Sequence, residues 1–80
     1  MDSVFIVYKT DNWHSYASRD TIGIATSSLA AIKICKQQAK KENKKIDKDQ
    51  LFNLANLEQT QGYSGDGEFQ FEEITLNKLL

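Results

Sequence analysis

The sequence predicts a two-layer α+β domain: a mainly antiparallel sheet with one long and one short helix on one face, in the order β-β-α-α-β. Two observations carry this reading. Segments with the two-residue period of a strand, Val4 to Lys9, Thr21 to Ala25 and Glu68 to Leu76, flank a middle portion whose apolar residues recur at spacings of three and four. Helices gathered in one stretch, rather than alternating with every strand, are the pattern of an α+β fold.

Eighty residues, 40% hydrophobic and 26% charged, describe one folding unit over residues 1–80, with no repeat, linker or low-complexity tract. A chain of this length buries only about 60–65% of the surface it exposes when unfolded, so its margin of stability is thin. Proline is absent, which leaves glycine, asparagine and aspartate to supply the sharp turns.

In the first strand Val4, Ile6 and Tyr8 point one way and Phe5 and Val7 the other. Both faces are apolar, as in a strand at the middle of a sheet. Thr10 to Arg19 is a polar and aromatic loop. The second strand places Ile22 and Ile24 on one face and Thr21, Gly23 and Ala25 on the other, where small residues admit a close neighbour.

Thr26 or Ser27 then caps a helix from about Ser28 to Glu42, with Ala31, Ile32, Cys35 and Ala39 as its apolar stripe. Asp47 with Gln50 is a capping-box variant, and Ile46 with Leu51 a hydrophobic staple, for a second helix. Leu51, Leu54 and Leu57, supported by Phe52 and Ala55, form its inward face. Asn56 to Gln61 either ends that helix or makes an extra strand hairpinned to the last one, and Gly62 to Gly67 is a flexible connection.

In the last strand Phe69 and Phe71 share one face, while Ile74 and Leu76 have the opposite parity. A β-bulge at Glu72-Glu73 would restore the register; otherwise this strand, too, has two apolar faces. The expected core is Val4, Ile6, Ile22, Ile24, Ile32, Cys35, Leu51, Leu54, Phe69 and Phe71.

Net charge is −1, but the charges are segregated. Residues 33–48 carry +5, and residues 49–80 carry −5. Lys33, Lys36, Lys40 and Lys44 share a stripe of the first helix, displaced by roughly a third of a turn from the apolar one, and are expected to be exposed together. This basic face is either a solvated surface or a weak, nonspecific nucleic-acid contact. It contains no arginine and no interleaved aromatic platform.

His14, the only histidine, lies among Asp11, Trp13, Ser15, Tyr16, Ser18, Arg19 and Asp20. A serine nucleophile needs a histidine base and an orienting carboxylate, and all three residue types are present. The resemblance to a triad is compositional, because such triads are assembled from separate elements that also supply an oxyanion hole. The loop reads first as a structural one, with Trp13 or Tyr16 packed on the sheet edge, second as a recognition loop of Trp13, His14, Tyr16 and Arg19, and last as the catalytic loop of a very small enzyme. No catalytic residues are assigned, and no enzyme activity is expected.

One cysteine and one histidine are too few ligands for structural zinc, and Asp66 in SGDGE lacks the alternating acids and distal glutamate of an EF-hand. The GYSGDG segment has neither the lysine nor the following helix of a phosphate loop. No metal and no cofactor are therefore expected. Cys35 is flanked by lysines but occupies the apolar stripe, where it reads as an inert core residue. A single cysteine, and an N-terminus with neither a signal peptide nor a membrane span, point to a cytoplasmic setting.

VFIVYKT, a polar loop and IGIATSSLAAIKICKQQAKKE together resemble small bacterial and phage-associated proteins of uncharacterised families, over roughly residues 4–42. The resemblance implies a ββα core with a further strand and no activity. The function expected is a small protein-interaction or regulatory module with an unidentified protein partner, or a homodimer joined through the sheet face or edge that the helices leave uncovered. That uncovered face is expected to include Gly23 and Ala25.

Overall fold

The computed structural model describes residues 3–63 and 67–75. Strands β1 (Ser3–Thr10), β2 (Asp20–Ala25) and β3 (Glu68–Thr75) form one antiparallel sheet in the order β2-β1-β3. Helices α1 (Ser28–Lys41) and α2 (Lys48–Leu57) come between β2 and β3 in the chain. The α+β class and the β-β-α-α-β order are as predicted, and β1 with its two apolar faces lies in the middle of the sheet.

The helices cover the face that carries Phe5 and Val7. Val7 is fully buried and lies opposite Gly23 on one side and Phe71 on the other, while Phe5 meets Phe71 edge to face at 6.0 Å. Ala31, Cys35 and Ala39 of α1 are buried against this layer. Such small side chains bring the helix close to the sheet: a Cβ on Gly23 would stand 3.0 Å from Ile34 Cδ1.

This corrects the expected core. The small residues of β2 admit α1, so the helix covers Gly23 and Ala25, and the opposite face of the sheet is the one left open. Val4 and Ile6 lie on that open face, only half-buried, and Ile24, the cross-strand neighbour of Ile6, is 65% exposed. Cys35, Leu54, Phe69 and Phe71 are buried as expected, and Ile22, Ile32 and Leu51 pack around them half-buried.

A bulge exists, but not at Glu72-Glu73. The register between β1 and β2 slips between Val7 and Tyr8, and the extra residue, Ile22, shares a groove with Ile34 on the α1 side. β3 pairs with β1 residue for residue, from Ser3 opposite Thr75 to Thr10 opposite Glu68. Ile74 therefore lies beside Val4 on the open face, which gives β3 its second apolar face. Leu76 falls outside the described residues.

Ser27 Oγ accepts from Ala30 N at the start of α1, and Asn43, in the left-handed region at φ 59°, ends it. Asp47 Oδ1 caps α2 by accepting from Gln50 N. The Gln50 side chain does not complete the capping box. It reaches forward instead, accepting from Gln61 N and donating to Gln61 O. On α2, Gln50 and Leu54 are buried, whereas Phe52, Ala55 and Leu57 are exposed, contrary to the expected inward face. Phe52 lies on the far side of the wheel, and the chain turns away after Leu57 at Glu58, φ 60°. Residues 56–61 thus finish the helix and then make a single bridge, Gln59 to Gln70, at the outer edge of β3.

Two polar clusters fasten this layer. Lys9, on the same side of β1 as Val7, lies 4.6 Å from the Phe69 ring centre and 5.0 Å from that of Tyr63, and its Nζ is 2.8 Å from Glu42 Oε1 at the end of α1. Burial works upward on the Glu42 carboxyl, but hydrogen bonds from Lys9, Gln38 and Tyr63 outweigh it and hold the group below its ordinary value. The Tyr63 hydroxyl is pushed up to about 12, by burial and then by Glu42. Glu68 is buried, and its carboxylate accepts from Thr60 Oγ1, Gly62 N and Tyr63 N. Of the connection expected to be flexible, Gly62 and Tyr63 are held in this way, and residues 64–66 lie outside the described residues. Gly67 has φ 78°, and a Cβ there would collide with Thr10 O, so no other residue fits without moving the backbone.

The two faces of the sheet make unequal demands. Val7→Ala should cost about 2 kcal/mol in denaturant unfolding, and the larger truncation Ile24→Ala under about 1 kcal/mol; the reverse order would overturn the assignment of faces. Because the folded-state pKa of Glu42 is lowered, its contribution is present above the ordinary value of 4.5 and disappears as pH falls through the depressed one. Melting temperatures of the wild type and Glu42→Gln should therefore differ near neutral pH and converge as the pH is taken below the depressed value. A gap that stays constant over that range would remove the ionised carboxylate from the account.

Candidate functional site

The β1–β2 connection is a built loop. Asp11 Oδ1 accepts from Trp13 N and Ser15 N, each at 3.0 Å, and the Asp11 carbonyl accepts from His14 N. Ser18 Oγ accepts from Asp11 N and donates to Ser15 O, closing a 3-10 turn over Tyr16–Ser18. The hydrogen bond from Ser15 N is the main influence on the Asp11 carboxyl and, with those from Trp13 and Ser18, holds it below its ordinary value against some desolvation. His14 has φ 56°, a backbone conformation that costs a non-glycine residue about 1–2 kcal/mol. Its Nε2 donates to Thr60 O at 2.8 Å, which ties the loop to the segment after α2.

The consequence is the display of two aromatic side chains. Trp13 and Tyr16 are each 80% exposed, so neither packs on the sheet edge as the structural reading expected. Tyr16 lies under the Arg19 guanidinium, 4.3 Å from ring centre to Cζ, and the same guanidinium lies 4.9 Å from the centre of the Tyr8 ring. Arg19 also pairs with Glu72 at 3.3 Å, and the Tyr8 hydroxyl donates to Glu72 at 2.8 Å. Burial, reinforced by Glu72, raises the Tyr8 pKa. Arg19 Nε and Gln70 Oε1 are buried without a hydrogen-bond partner among the described residues, at a cost of about 1–3 kcal/mol each.

Through Tyr8 and Arg19 the loop joins the open sheet face, where Ile6 lies between Ile24 and Glu72, and Val4 is beside Ile74. Trp13 and Tyr16 are the presented groups of the expected recognition loop, and His14 and Arg19 are the groups that position them. Sequence reading missed Ile6, Ile24 and Glu72 as part of this surface. Their parity carried the signal, but assigning it required knowing which face α1 takes.

The triad residue types do not converge. The His14 ring binds Thr60 O, the Asp11 carboxylate binds its own loop, and Ser18 Oγ binds main-chain groups; among the described residues no hydrogen bond links the His14 ring to any of the others. Cys35 is buried, and burial pushes its thiol up to about 12. Among the described residues, no group of three or more His, Cys, Asp and Glu is placed to hold a metal ion, and no helix is long and apolar enough to cross a membrane. Lys33, Lys36, Lys40 and Lys44 are all exposed and border one groove between α1 and α2. Comparison with protein families, with curated proteins and with solved structures yields no match, so the resemblance over residues 4–42 rests on its sequence pattern alone.

If Asp11 organises the loop, Asp11→Ala should accelerate hydrogen exchange of the Trp13 and Ser15 amides by about tenfold or more while leaving the β1 amides protected. Unchanged exchange at those two amides would show that the 3-10 turn and His14 suffice.

Proposed function

We propose that this protein is a protein-interaction module that works by binding rather than by catalysis, and that its contact surface is the Trp13–Tyr16 loop together with the open sheet face. The observation that carries the reading is the exposure of Trp13 and Tyr16 on a loop held by Asp11 and by a left-handed His14. Large aromatics presented with little freedom to lose are the anchors of protein interfaces, since ordering them costs little on binding. The engagement of His14 with Thr60 O supports binding over catalysis. A cytoplasmic setting suits the free thiol of Cys35.

The open face favours one partner in particular, a second copy of the chain. Val4, Ile6, Ile24 and Ile74 form an apolar patch edged by the Arg19–Glu72 pair, and one self-complementary patch suffices for a two-fold dimer. Sedimentation equilibrium at roughly tens of micromolar, in the range where a modest interface is populated, decides between the partners. A species of twice the monomer mass that reverts to monomer with Ile24→Lys identifies the second copy, and a monomer throughout leaves the surface to a different protein.

For that different protein, capture from the native host should lose its specific partner with the double variant Trp13→Ser and Tyr16→Ser, whose exposed positions leave the fold intact. Binding of the identified partner should weaken by about tenfold or more. Undiminished binding by the double variant would refute the loop as the contact.

A further inference from the structure

We propose that the groove between α1 and α2 is a second binding site, separate from the loop and the open sheet face, and that it takes an acidic segment of another protein carrying an apolar side chain. The groove has a volume of about 580 Å³. Lys33, Lys36, Lys40, Lys44 and Lys45 border it, and among the described residues no acidic one does. Ile46 and Leu51 form its base.

Two features make this more than a solvated helix face. First, the lysines come from two sources: three from successive turns of α1, and two from the chain that leaves α1 and turns back toward α2 after the left-handed Asn43. The turn adds two lysines of the connection to three of the helix, so five lysines line one concavity instead of lying along α1 alone. Second, the acids nearest in the sequence do not pair with them. Glu42, the one acid between Lys33 and Ile46, is bound by Lys9, Gln38 and Tyr63, and Asp47, the next, accepts from Gln50 N as the cap of α2. Among the described residues none of the five lysines forms an ion pair.

The chemistry of the base selects the occupant. Leu51 is half-buried, and the lysine stems add their methylene groups to the walls, so the groove is apolar below and cationic above. A phosphate backbone would satisfy the rim and leave the base wet. A purely apolar helix would fill the base and leave five cations desolvated without partners. A segment with glutamate or aspartate on both sides of a leucine or phenylalanine satisfies both, and a pocket of this size is ample for one such side chain.

The test uses the full chain and labelled probes measured by fluorescence anisotropy: a peptide with glutamates flanking each leucine, the same peptide with the leucines replaced by glutamine, and a single-stranded oligonucleotide of equal charge. The leucine-containing peptide should bind at least about tenfold more tightly than either of the others and weaken as salt rises from about 50 to about 200 mM. Lys36→Glu combined with Lys40→Glu, at exposed positions, should reduce binding by about tenfold or more, and Leu51→Ala should remove the advantage of the leucines. The double variant Trp13→Ser and Tyr16→Ser should bind the peptide like the wild type, which separates failure here from failure of the loop reading. Equal binding of the leucine-free peptide, tighter binding of the oligonucleotide, or no binding by any probe would each overturn the proposal. An unchanged melting temperature of the lysine variant shows that loss of binding is not loss of fold.

Discussion

A central strand that is apolar on both sides sets the terms for everything packed around it. β1 has Phe5 and Val7 on one face and Val4, Ile6 and Tyr8 on the other, and two helices with 24 residues between them can cover one of the two. The choice falls to the shape of α1. Its inward stripe of Ala31, Cys35 and Ala39 is nearly flat, so it lies closest where β2 offers Gly23 and Ala25, and the faces of β1 and β3 are then fixed by register. Ile6, Ile24, Val4 and Ile74 are left on the outside as the consequence of close packing on the inside. A small domain gains more from one well-packed layer than from two loose ones, because a void of even a methyl group forfeits contact on all its walls.

The helical layer is held at its far end by polar groups rather than by more apolar surface. Lys9 occupies a core-side position on β1, where an uncompensated charge would be costly, and three things compensate it: the Glu42 carboxylate, the Phe69 ring and the Tyr63 ring. Glu68 performs the corresponding task for the segment after α2, accepting from one hydroxyl and two main-chain amides, and Gln50 binds both main-chain groups of Gln61. Together they place Thr60, and Thr60 places His14. The position of the exposed Trp13 loop therefore depends on a chain of contacts that begins in the helical layer.

Much of this was legible in the sequence, for identifiable reasons. The strands β1 and β3 announce themselves by parity, Ser27 and Asp47 by cap chemistry, and the exposed lysines by spacing, because each of these depends on residues close in the chain. Which face of β1 is covered depends on the fit of α1 to β2, a tertiary matter, and the larger Ile24 and Ile6 looked more core-like than Gly23 and Ala25. A bulge at Glu72-Glu73 is needed only if Ile74 must be buried with Phe69 and Phe71; once the sheet keeps an open face, the other reading of β3, a strand with two apolar faces, holds. At the loop, the residue types Trp13, His14, Tyr16 and Arg19 stood out, but their division into presented and positioning groups did not. Exposure of the aromatics comes from the Asp11 hydrogen bonds and from the backbone of His14, neither of which has a one-dimensional signature.

The arrangement also links stability to occupancy. The proposed contact surface lies on the sheet layer and the lysine-bordered groove on the helical layer, with the Val7–Phe71–Leu54 core between them. A ligand at either place stabilises the folded state by RT ln(1 + [L]/Kd), about 2.7 kcal/mol when its concentration is a hundred times Kd. In a domain of this size that is a substantial fraction of the whole, since typical stabilities run to about 0.05–0.15 kcal/mol per residue. The two layers share one cooperative core and no lining residue, so each occupant adds to stability without competing with the other. Such a domain tolerates costly features at the proposed contact surface, such as the Arg19 Nε buried without a hydrogen-bond partner among the described residues and the left-handed His14, as long as the core remains closely packed.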